Sequence, residues 1–246
     1  MICKSKADFD GMRAASAVVK KALDAARDFI KPGVTTLEID AVVEETIRAQ
    51  GAIPSTKGFE GYPNASCISV NDVVVHGIPS LAVIKNGDIV SVDITALYKG
   101  YQGDAARTFI VGTTDAESTA LVKAAEGAFF AAMEYATAGK RIGDISATVQ
   151  LFTELRGFGV VRDLTGHGIG RKMHEPPNVY NFGRMNTGLV MKSGLCICVE
   201  PMITAGDWHV TIDRDGWTVR TRDGSRAAHY ENTVIITDGK PEILTL

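Results

Sequence analysis

An internal repeat is the feature of this sequence that most limits the folds it can adopt. Apolar residues recur at helical spacing over 8–30 and again over 115–138, and each segment stops at a break that contains glycine. A second helical segment follows in each case, over 35–51 and 143–156. A shift of 106 residues superimposes these second segments and aligns Gly33, Ile39, Ala41, Val43 and Gly51 with Gly139, Ile145, Ala147, Val149 and Gly157. The chain is therefore expected to contain two similar units.

Strand-like segments follow each helix pair. They read ASCISV, DVVVHGI, GDIVSVDITALY and YQGDAARTFIVG in the first unit, and GLCICVEPMIT, GWTVRTRDG and AHYENTVIIT in the second. This order predicts an α+β fold in which helices cover one face of a curved, mostly antiparallel sheet. Because no low-complexity linker separates the units, we expect one domain over 1–246, with halves at about 8–112 and 113–246.

Charge and composition argue against several classes of protein. The 246 residues carry a net charge of −3, whereas a general nucleic-acid-binding protein is usually basic. We find neither an apolar run of about 18 residues nor the apolar core of a signal peptide, so we expect a soluble, cytoplasmic protein without a membrane partner. The four cysteines form no C-x-x-C pair, which favours buried free thiols in a reducing compartment.

Four acidic residues lie in strand-like segments, where a buried carboxylate is costly. Asp93 and Asp104 flank a predicted tight turn, and the resulting hairpin would bring them roughly opposite each other. Glu200 and Glu231 lie at the ends of apolar segments, and the 106-residue shift carries Asp93 to the position before Glu200. A single acid of this kind is more often paired with an arginine, such as Arg107. If all four acids lie close together, a divalent cation between them would remove the repulsion among their carboxylates.

Three of the five histidines lie in segments bounded by glycine or proline. His167 and His174 are seven residues apart in DLTGHGIGRKMHEPP, and His76 lies in VVVHGIP. A histidine between glycines is more often a turn residue than a ligand, although the glycines permit close backbone approach. One imidazole with four carboxylates suits Mn²⁺, Fe²⁺, Co²⁺ or Zn²⁺, and four carboxylates exceed the needs of one ion. The residues therefore favour a site for two divalent metal ions.

Five segments resemble the methionine aminopeptidases of the bacterial type I class, which have the pita-bread fold. The segments are GYPNASCISVNDVVVHGIP (61–79), DIVSVDITALYKGYQGDAARTF (88–109), GHGIGRKMHEPP (166–177), VEPM (199–202) and GWTVRTRDGSRAAHYENTV (216–234). They span essentially the whole chain in the expected order. The resemblance implies a pseudo-twofold duplicated fold, which agrees with the internal repeat.

The resemblance implies a complete set of metal ligands. The five dimetal ligands would be Asp93, Asp104, His167, Glu200 and Glu231. Asp104 and Glu231 would bridge the two ions. Asp93 would complete the coordination of one ion, and His167 with Glu200 would complete that of the other.

The resemblance also implies the catalytic and substrate-binding residues. Glu200 would be the general base for a water between the ions, and His76 and His174 would contact the scissile peptide and the developing tetrahedral intermediate. The apolar pocket for the methionine side chain would be lined by Phe59, Tyr62, Cys67, Met173 and Trp217, with Thr56 at its rim. The common bacterial pattern has cysteine at Thr56, tyrosine at Phe59 and phenylalanine at Met173. The alternative for Trp217 is simple core packing.

The implied activity is hydrolysis of the N-terminal methionine from nascent polypeptides with a small second residue, by a metal-bridged hydroxide. A monovalent cation near the backbone carbonyls of Asn71 and Val73, transient ribosome association and a monomeric state complete this hypothesis. One alternative is an X-Pro peptidase of the same fold, which usually carries an extra N-terminal domain. Another is a non-catalytic pita-bread protein that binds RNA or ribosomes, and such a protein would lack metal ligands.

Overall fold

The computed structural model describes residues 1–246 and contains four α-helices, one 3-10 turn (Phe59–Gly61) and fifteen strands. The helices are α1 (Lys6–Phe29), α2 (Thr36–Ala49), α3 (Ala116–Met133) and α4 (Ile142–Glu154). The strands of the first half are β1 (Ile53–Pro54), β2 (Cys67–Val70), β3 (Val73–Val75), β4 (Ile89–Tyr98) and β5 (Tyr101–Ile110). Those of the second half are β6 (Gly159–Val160), β7 (Thr165–Gly168), β8 (Glu175–Tyr180), β9 (Cys196–Val199), β10 (Met202–Thr204), β11 (Val210–Ile212), β12 (Val219–Thr221), β13 (Ala227–His229), β14 (Asn232–Ile235) and β15 (Glu242–Ile243).

The predicted α+β class is confirmed, since every pair of neighbouring strands runs antiparallel and the helices pack against the strands. The strands form four hydrogen-bonded sheets rather than one continuous sheet. One buried core joins α1 and α2 to β4 and β5, and another joins α3 and α4 to β9, β10 and β14. No helix is both long enough and apolar enough to cross a membrane.

The connections within the two helix pairs contain glycines of similar backbone geometry. Gly33 and Gly139 both have positive φ, at 99° and 89°, a conformation that glycine adopts without steric cost. Gly33 N–H donates to Ile84 O at 2.9 Å, and Gly139 N–H donates to Met191 O at 3.0 Å. Of the aligned apolar residues of the second helices, Ile39, Val43, Ile145 and Val149 are completely buried, whereas Ala41 is exposed and Ala147 is half-buried. The internal repeat therefore reflects two units that bury corresponding faces. The placement of the half boundaries near residue 112 remains a prediction.

Helix α3 ends earlier than the apolar pattern predicts. The pattern continues to residue 138, but the helix ends at Met133. Beyond it Ala138 N–H donates to Thr237 O at 2.9 Å, and Thr137 forms an isolated bridge with Thr237. Tertiary pairing therefore replaces the last predicted turn, since these backbone groups find partners outside the helix.

The β4–β5 hairpin carries the two aspartates in a register that the sequence left open. Its two-residue turn has positive φ at Lys99 and Gly100, as a type I′ turn requires. Asp93 lies opposite Ala106, and Asp104 lies opposite Thr95. The two acids are therefore offset by two residues rather than directly opposed. Because side chains alternate along a strand, they still share one face of the hairpin.

The glycines around His167 are required by close backbone packing. A Cβ atom at Gly166 would lie 2.5 Å from Cys198 O, and one at Gly168 would lie 2.3 Å from Pro176 O. The segment forms β7 and β8 of a five-stranded sheet. Strand β7 pairs with β9, and β8 is the edge strand. The sequence patterns did not predict these two strands. Their pairing places His167 beside the carboxylates of the neighbouring elements.

Candidate metal centre and substrate pocket

A cavity of about 390 Å³ contains every residue that the sequence assigned to the site. Its walls include the five predicted ligands, the two further histidines and the predicted side-chain pocket. Asp93 and Asp104 project from β4 and β5, and His167 projects from β7. Glu200 lies between β9 and β10, and Glu231 lies between β13 and β14. Both halves of the chain therefore build one cavity.

His167 lies at the centre of the polar end of this cavity. Its Nε2 is 3.7 Å from Asp104 Oδ2 and 3.6 Å from Glu200 Oε1. Its other ring nitrogen, Nδ1, donates a hydrogen bond to Gly168 O at 2.9 Å. This contact leaves the Nε2 lone pair directed toward the acids, the arrangement found in metal-binding histidines. Burial and the nearby His174 lower the pKa of His167 to about 4, which keeps the ring neutral.

The carboxyl groups of Asp93, Asp104, Glu200 and Glu231 share a buried space. No lysine or arginine side chain pairs with their oxygens. Burial raises the pKa of Asp93 to about 7. It also raises the pKa of Asp104, Glu200 and Glu231 well above the usual range, and the charges of neighbouring carboxylates add to this effect. Glu231 Oε1 is buried and has no hydrogen-bond partner. An unpaired buried carboxylate oxygen is costly, so these residues fit a bound cation.

Oxygen, nitrogen and sulfur atoms that can bind a metal ion converge beside His167. One ligand atom each from Asp104, His167, Cys198 and Glu231 lies within 4.8 Å of the others. The carboxylates and the imidazole suit divalent transition metals. Cys198 was not predicted as part of the site, although it lies two residues before Glu200 on the same alternating strand pattern. Burial, with the neighbouring acids, raises the pKa of the Cys198 thiol well above its usual range, so the sulfur is protonated at neutral pH.

Two histidines face the cavity beside the carboxylates. The His174 ring lies 4.4 Å from the His167 ring in an edge-to-face arrangement. His76 lies just beyond β3 with a positive φ of 58° and faces Trp217, with 6.3 Å between ring centroids. Burial lowers the pKa of both His76 and His174, so both rings are neutral hydrogen-bonding groups near pH 7.

The apolar end of the cavity has aromatic and sulfur-containing walls. Tyr62 packs edge-to-face on Trp217 at 5.2 Å, and its hydroxyl donates to Gly77 O at 2.9 Å. Trp217 is half-buried and lines the cavity, so core packing does not describe it. Cys67 of β2 lies directly opposite Asp93 of β4, so the apolar end of the cavity lies next to the carboxylates. The remaining apolar or rim residues are Thr56, Phe59 and Met173.

A buried hydrogen-bond cluster holds the segment that carries Tyr62 and Cys67. Asp40 of α2 accepts hydrogen bonds from Asn64 Nδ2 at 2.7 Å, Ser66 N at 2.8 Å and Ser66 Oγ at 2.8 Å. Asp40 is almost completely buried. The cluster fixes the pocket wall on the first helix pair. A single sequence contains no signal that would assign Asp40 this role.

The chain belongs to metallopeptidase family M24, which residues 10–238 match. Within this family, the chain is similar over its full length to bacterial methionine aminopeptidases. The methionine aminopeptidase of Clostridium acetobutylicum is 47% identical over 100% of this chain and 99% of its own. The crystal structure of methionine aminopeptidase from Thermotoga maritima superimposes with a TM-score of 0.97 at 43% identity, covering 100% and 99% of the two chains. Prolidase from Pyrococcus furiosus shares the fold at a TM-score of 0.79 and 25% identity, and this chain covers 65% of it.

Proposed function

We propose that the protein is a methionine aminopeptidase that hydrolyses the first peptide bond of polypeptides beginning with methionine, with a preference for a small second residue. The observation that carries this proposal is one cavity whose acidic end continues directly into an aromatic, sulfur-lined pocket. Full-length similarity to bacterial methionine aminopeptidases supports the same activity. A flexible thioether side chain suits such a pocket, because sulfur makes favourable contacts with aromatic edges.

We further propose that the cavity holds two divalent ions, Co²⁺, Mn²⁺, Fe²⁺ or Zn²⁺. The proposed ligands are Asp93, Asp104, His167, Glu200 and Glu231. When bound, such ions supply Lewis acidity and lower the pKa of a coordinated water. A monovalent cation near Asn71 and Val73 also remains a prediction. The Asn71 carbonyl already accepts a hydrogen bond from Ala227 N at 2.8 Å.

The side chains around the proposed metal site have defined tasks in this scheme. Glu200 accepts a proton from the attacking water and delivers it to the leaving amine. His174 and His76 donate hydrogen bonds to the scissile peptide and stabilise negative charge on its carbonyl oxygen. The Phe59 ring lies 5.4 Å from the His174 ring, so the side-chain pocket lies next to the two histidines.

The alternative functions receive less support. An X-Pro peptidase is disfavoured because the chain is 25% identical to prolidase from Pyrococcus furiosus but 47% identical to the methionine aminopeptidase of Clostridium acetobutylicum. A non-catalytic binding protein is disfavoured because all five proposed ligand positions carry donor side chains that line one cavity. Nascent chain N-termini are the substrates expected of a methionine aminopeptidase. Transient ribosome contact, a monomeric state and a cytoplasmic location are further parts of the proposal.

The proposed activity is tested by release of free methionine from Met-Ala-Ser. The protein is treated with a chelator and then assayed without metal and with Co²⁺, Mn²⁺, Fe²⁺ or Zn²⁺. We expect release only with metal, and little release from Leu-Ala-Ser or from X-Pro peptides. Folded protein that releases no methionine with any of the four metals would contradict the proposal. Hydrolysis of X-Pro peptides alone would favour the prolidase alternative.

A further inference from the structure

His229 is a buried histidine of the cavity to which the proposed mechanism assigns no task. It is the last residue of β13, its exposed fraction is 2%, and it lines the cavity. Its Nε2 has no hydrogen-bond partner. Buried polar atoms are nearly always paired, so an unpaired ring nitrogen in a reactive cavity requires an explanation.

Hydrogen bonds and strand pairing hold the backbone of His229 in place. Its N–H donates to Thr108 Oγ1 at 3.0 Å, and the Thr108 hydroxyl donates to His229 O at 2.8 Å. Met202 of β10 is its direct cross-strand partner. Strands on both sides therefore fix the position from which the imidazole projects.

The ring nitrogen points at one particular oxygen of Glu200. His229 Nε2 lies 3.8 Å from Glu200 Oε2, whereas Glu200 Oε1 lies 3.6 Å from His167 Nε2. The carboxyl group of Glu200 thus sits between two imidazoles, and each imidazole faces a different oxygen. The separation of 3.8 Å between His229 Nε2 and Glu200 Oε2 lies just beyond hydrogen-bonding distance.

We propose that His229 is a positioning residue that donates its Nε2–H to Glu200 Oε2. This inference rests on the proposed function, because it concerns the residue assigned as metal ligand and proton carrier. The hydrogen bond holds the plane of the Glu200 carboxyl group and leaves Oε1 free to face His167 and a cation. Hydrogen bonds to ligand carboxylates commonly set both metal affinity and turnover.

Two substitutions separate a hydrogen-bonding role from a space-filling one. His229→Gln retains an N–H donor at the end of the side chain, whereas His229→Leu fills similar volume without a donor. We expect His229→Leu to lower kcat for Met-Ala-Ser by about 10- to 100-fold and to weaken Mn²⁺ binding, measured by calorimetry, by about tenfold. We expect His229→Gln to remain within about threefold of wild type in both. His209→Leu, at a half-exposed histidine outside the cavity, is the matched control.

A measurement on the unsubstituted protein keeps the inference testable if the leucine variant does not fold. Two-bond ¹H–¹⁵N NMR spectra of the Zn²⁺-loaded protein, with His229→Gln used for assignment, should show a protonated Nε2 on His229. An unprotonated Nε2 would leave His229 without a donor toward Glu200 and would overturn the inference. Equal losses in the glutamine and leucine variants, or none in the leucine variant, would also overturn it. If the wild type releases no methionine, the proposed function fails, but metal affinity and the NMR spectrum still decide the role of His229.

Discussion

The hydroxyl of Thr95 donates a hydrogen bond to Asp104 Oδ1 at 3.0 Å across the β4–β5 hairpin. This contact holds one oxygen of the Asp104 carboxyl group. The other oxygen, Oδ2, lies 3.7 Å from His167 Nε2. The hairpin register thus orients a proposed bridging ligand, and a direct pairing of Asp93 with Asp104 would have lost this contact.

Replacing Thr95 by valine should weaken metal binding without unfolding the protein. Valine has nearly the same shape but no hydroxyl, so Asp104 Oδ1 loses its donor. We expect Mn²⁺ affinity to fall about tenfold, as is typical when a partner of a metal ligand is removed. Calorimetric titration of the metal-free protein measures this change. Thr95→Ser retains the hydroxyl and should bind Mn²⁺ nearly normally, and equal losses in both variants would contradict the assignment.

Replacing Glu200 by glutamine should abolish most of the turnover. The substitution removes a proposed ligand charge and the proposed proton carrier, and loss of such a group typically costs about 10²- to 10⁴-fold. The measurement is kcat for Met-Ala-Ser at saturating Mn²⁺. Glu242→Gln removes a surface carboxylate that pairs with Arg13 and should change kcat little. Near-normal turnover in the Glu200 variant would remove Glu200 from the mechanism.

Replacing Asp93 by asparagine should change how the stability of the metal-free protein depends on pH. Burial raises the pKa of Asp93 from 3.8 to about 7. Between these values the folded state retains a proton that the unfolded state has released, so the contribution of Asp93 to stability falls as pH rises. Asparagine cannot ionise, and its advantage should therefore grow from pH 4 to pH 8, reaching up to about 4 kcal/mol.

Urea unfolding of both chelator-treated proteins at several pH values tests this expectation. The difference in unfolding free energy between them is the quantity to compare, since it contains the ionisation of Asp93 together with its repulsion of the neighbouring carboxylates. A difference that stays constant with pH would show that Asp93 ionises normally. Saturating metal should reduce the pH dependence of the wild type, because a bound cation favours the ionised carboxylate.

Replacing Asp40 by alanine should impair the substrate pocket from a distance. The change leaves Ser66 N–H and Asn64 Nδ2 without their buried acceptor, at a cost of about 1–3 kcal/mol of unfolding free energy. We expect KM for Met-Ala-Ser to rise more than kcat falls, because the cluster supports the wall that carries Tyr62 and Cys67. Asp40→Asn retains one acceptor oxygen and should show a smaller rise in KM. An unchanged KM in a destabilised alanine variant would limit the cluster to a structural role.

Local patterns in the sequence were sufficient for much of the fold. Helical periodicity located all four helices, and the tight turn at Lys99–Gly100 predicted the hairpin. The short strands β1, β6, β7, β8, β11 and β15 were not predicted, because two to six residues carry too little periodicity to indicate a strand. The end of α3 was misplaced for a different reason, since pairing with Thr237 overrides local helix propensity.

The sequence indicated candidate site residues whose type is unusual for their surroundings. It did not indicate residues of a type that is common in any core. A carboxylate such as Asp93 within an apolar strand is conspicuous, and the resemblance to a known family supplied its expected task. His229 and Cys198 follow the same alternation as Glu231 and Glu200, but a single buried histidine or cysteine is common in any core. The offset of Asp93 from Asp104 depends on hairpin register, which pairing determines and residue type does not.

The division of the proposed ligands between the two halves has a consequence for the time at which the protein becomes active. When a ribosome has translated the first half, it has made Asp93 and Asp104 but not His167, Glu200 or Glu231. The cavity cannot close until the strand that follows Glu231 has left the exit tunnel and paired with β9. During most of its own synthesis, the chain is therefore inert toward the other emerging chains on which we propose it acts.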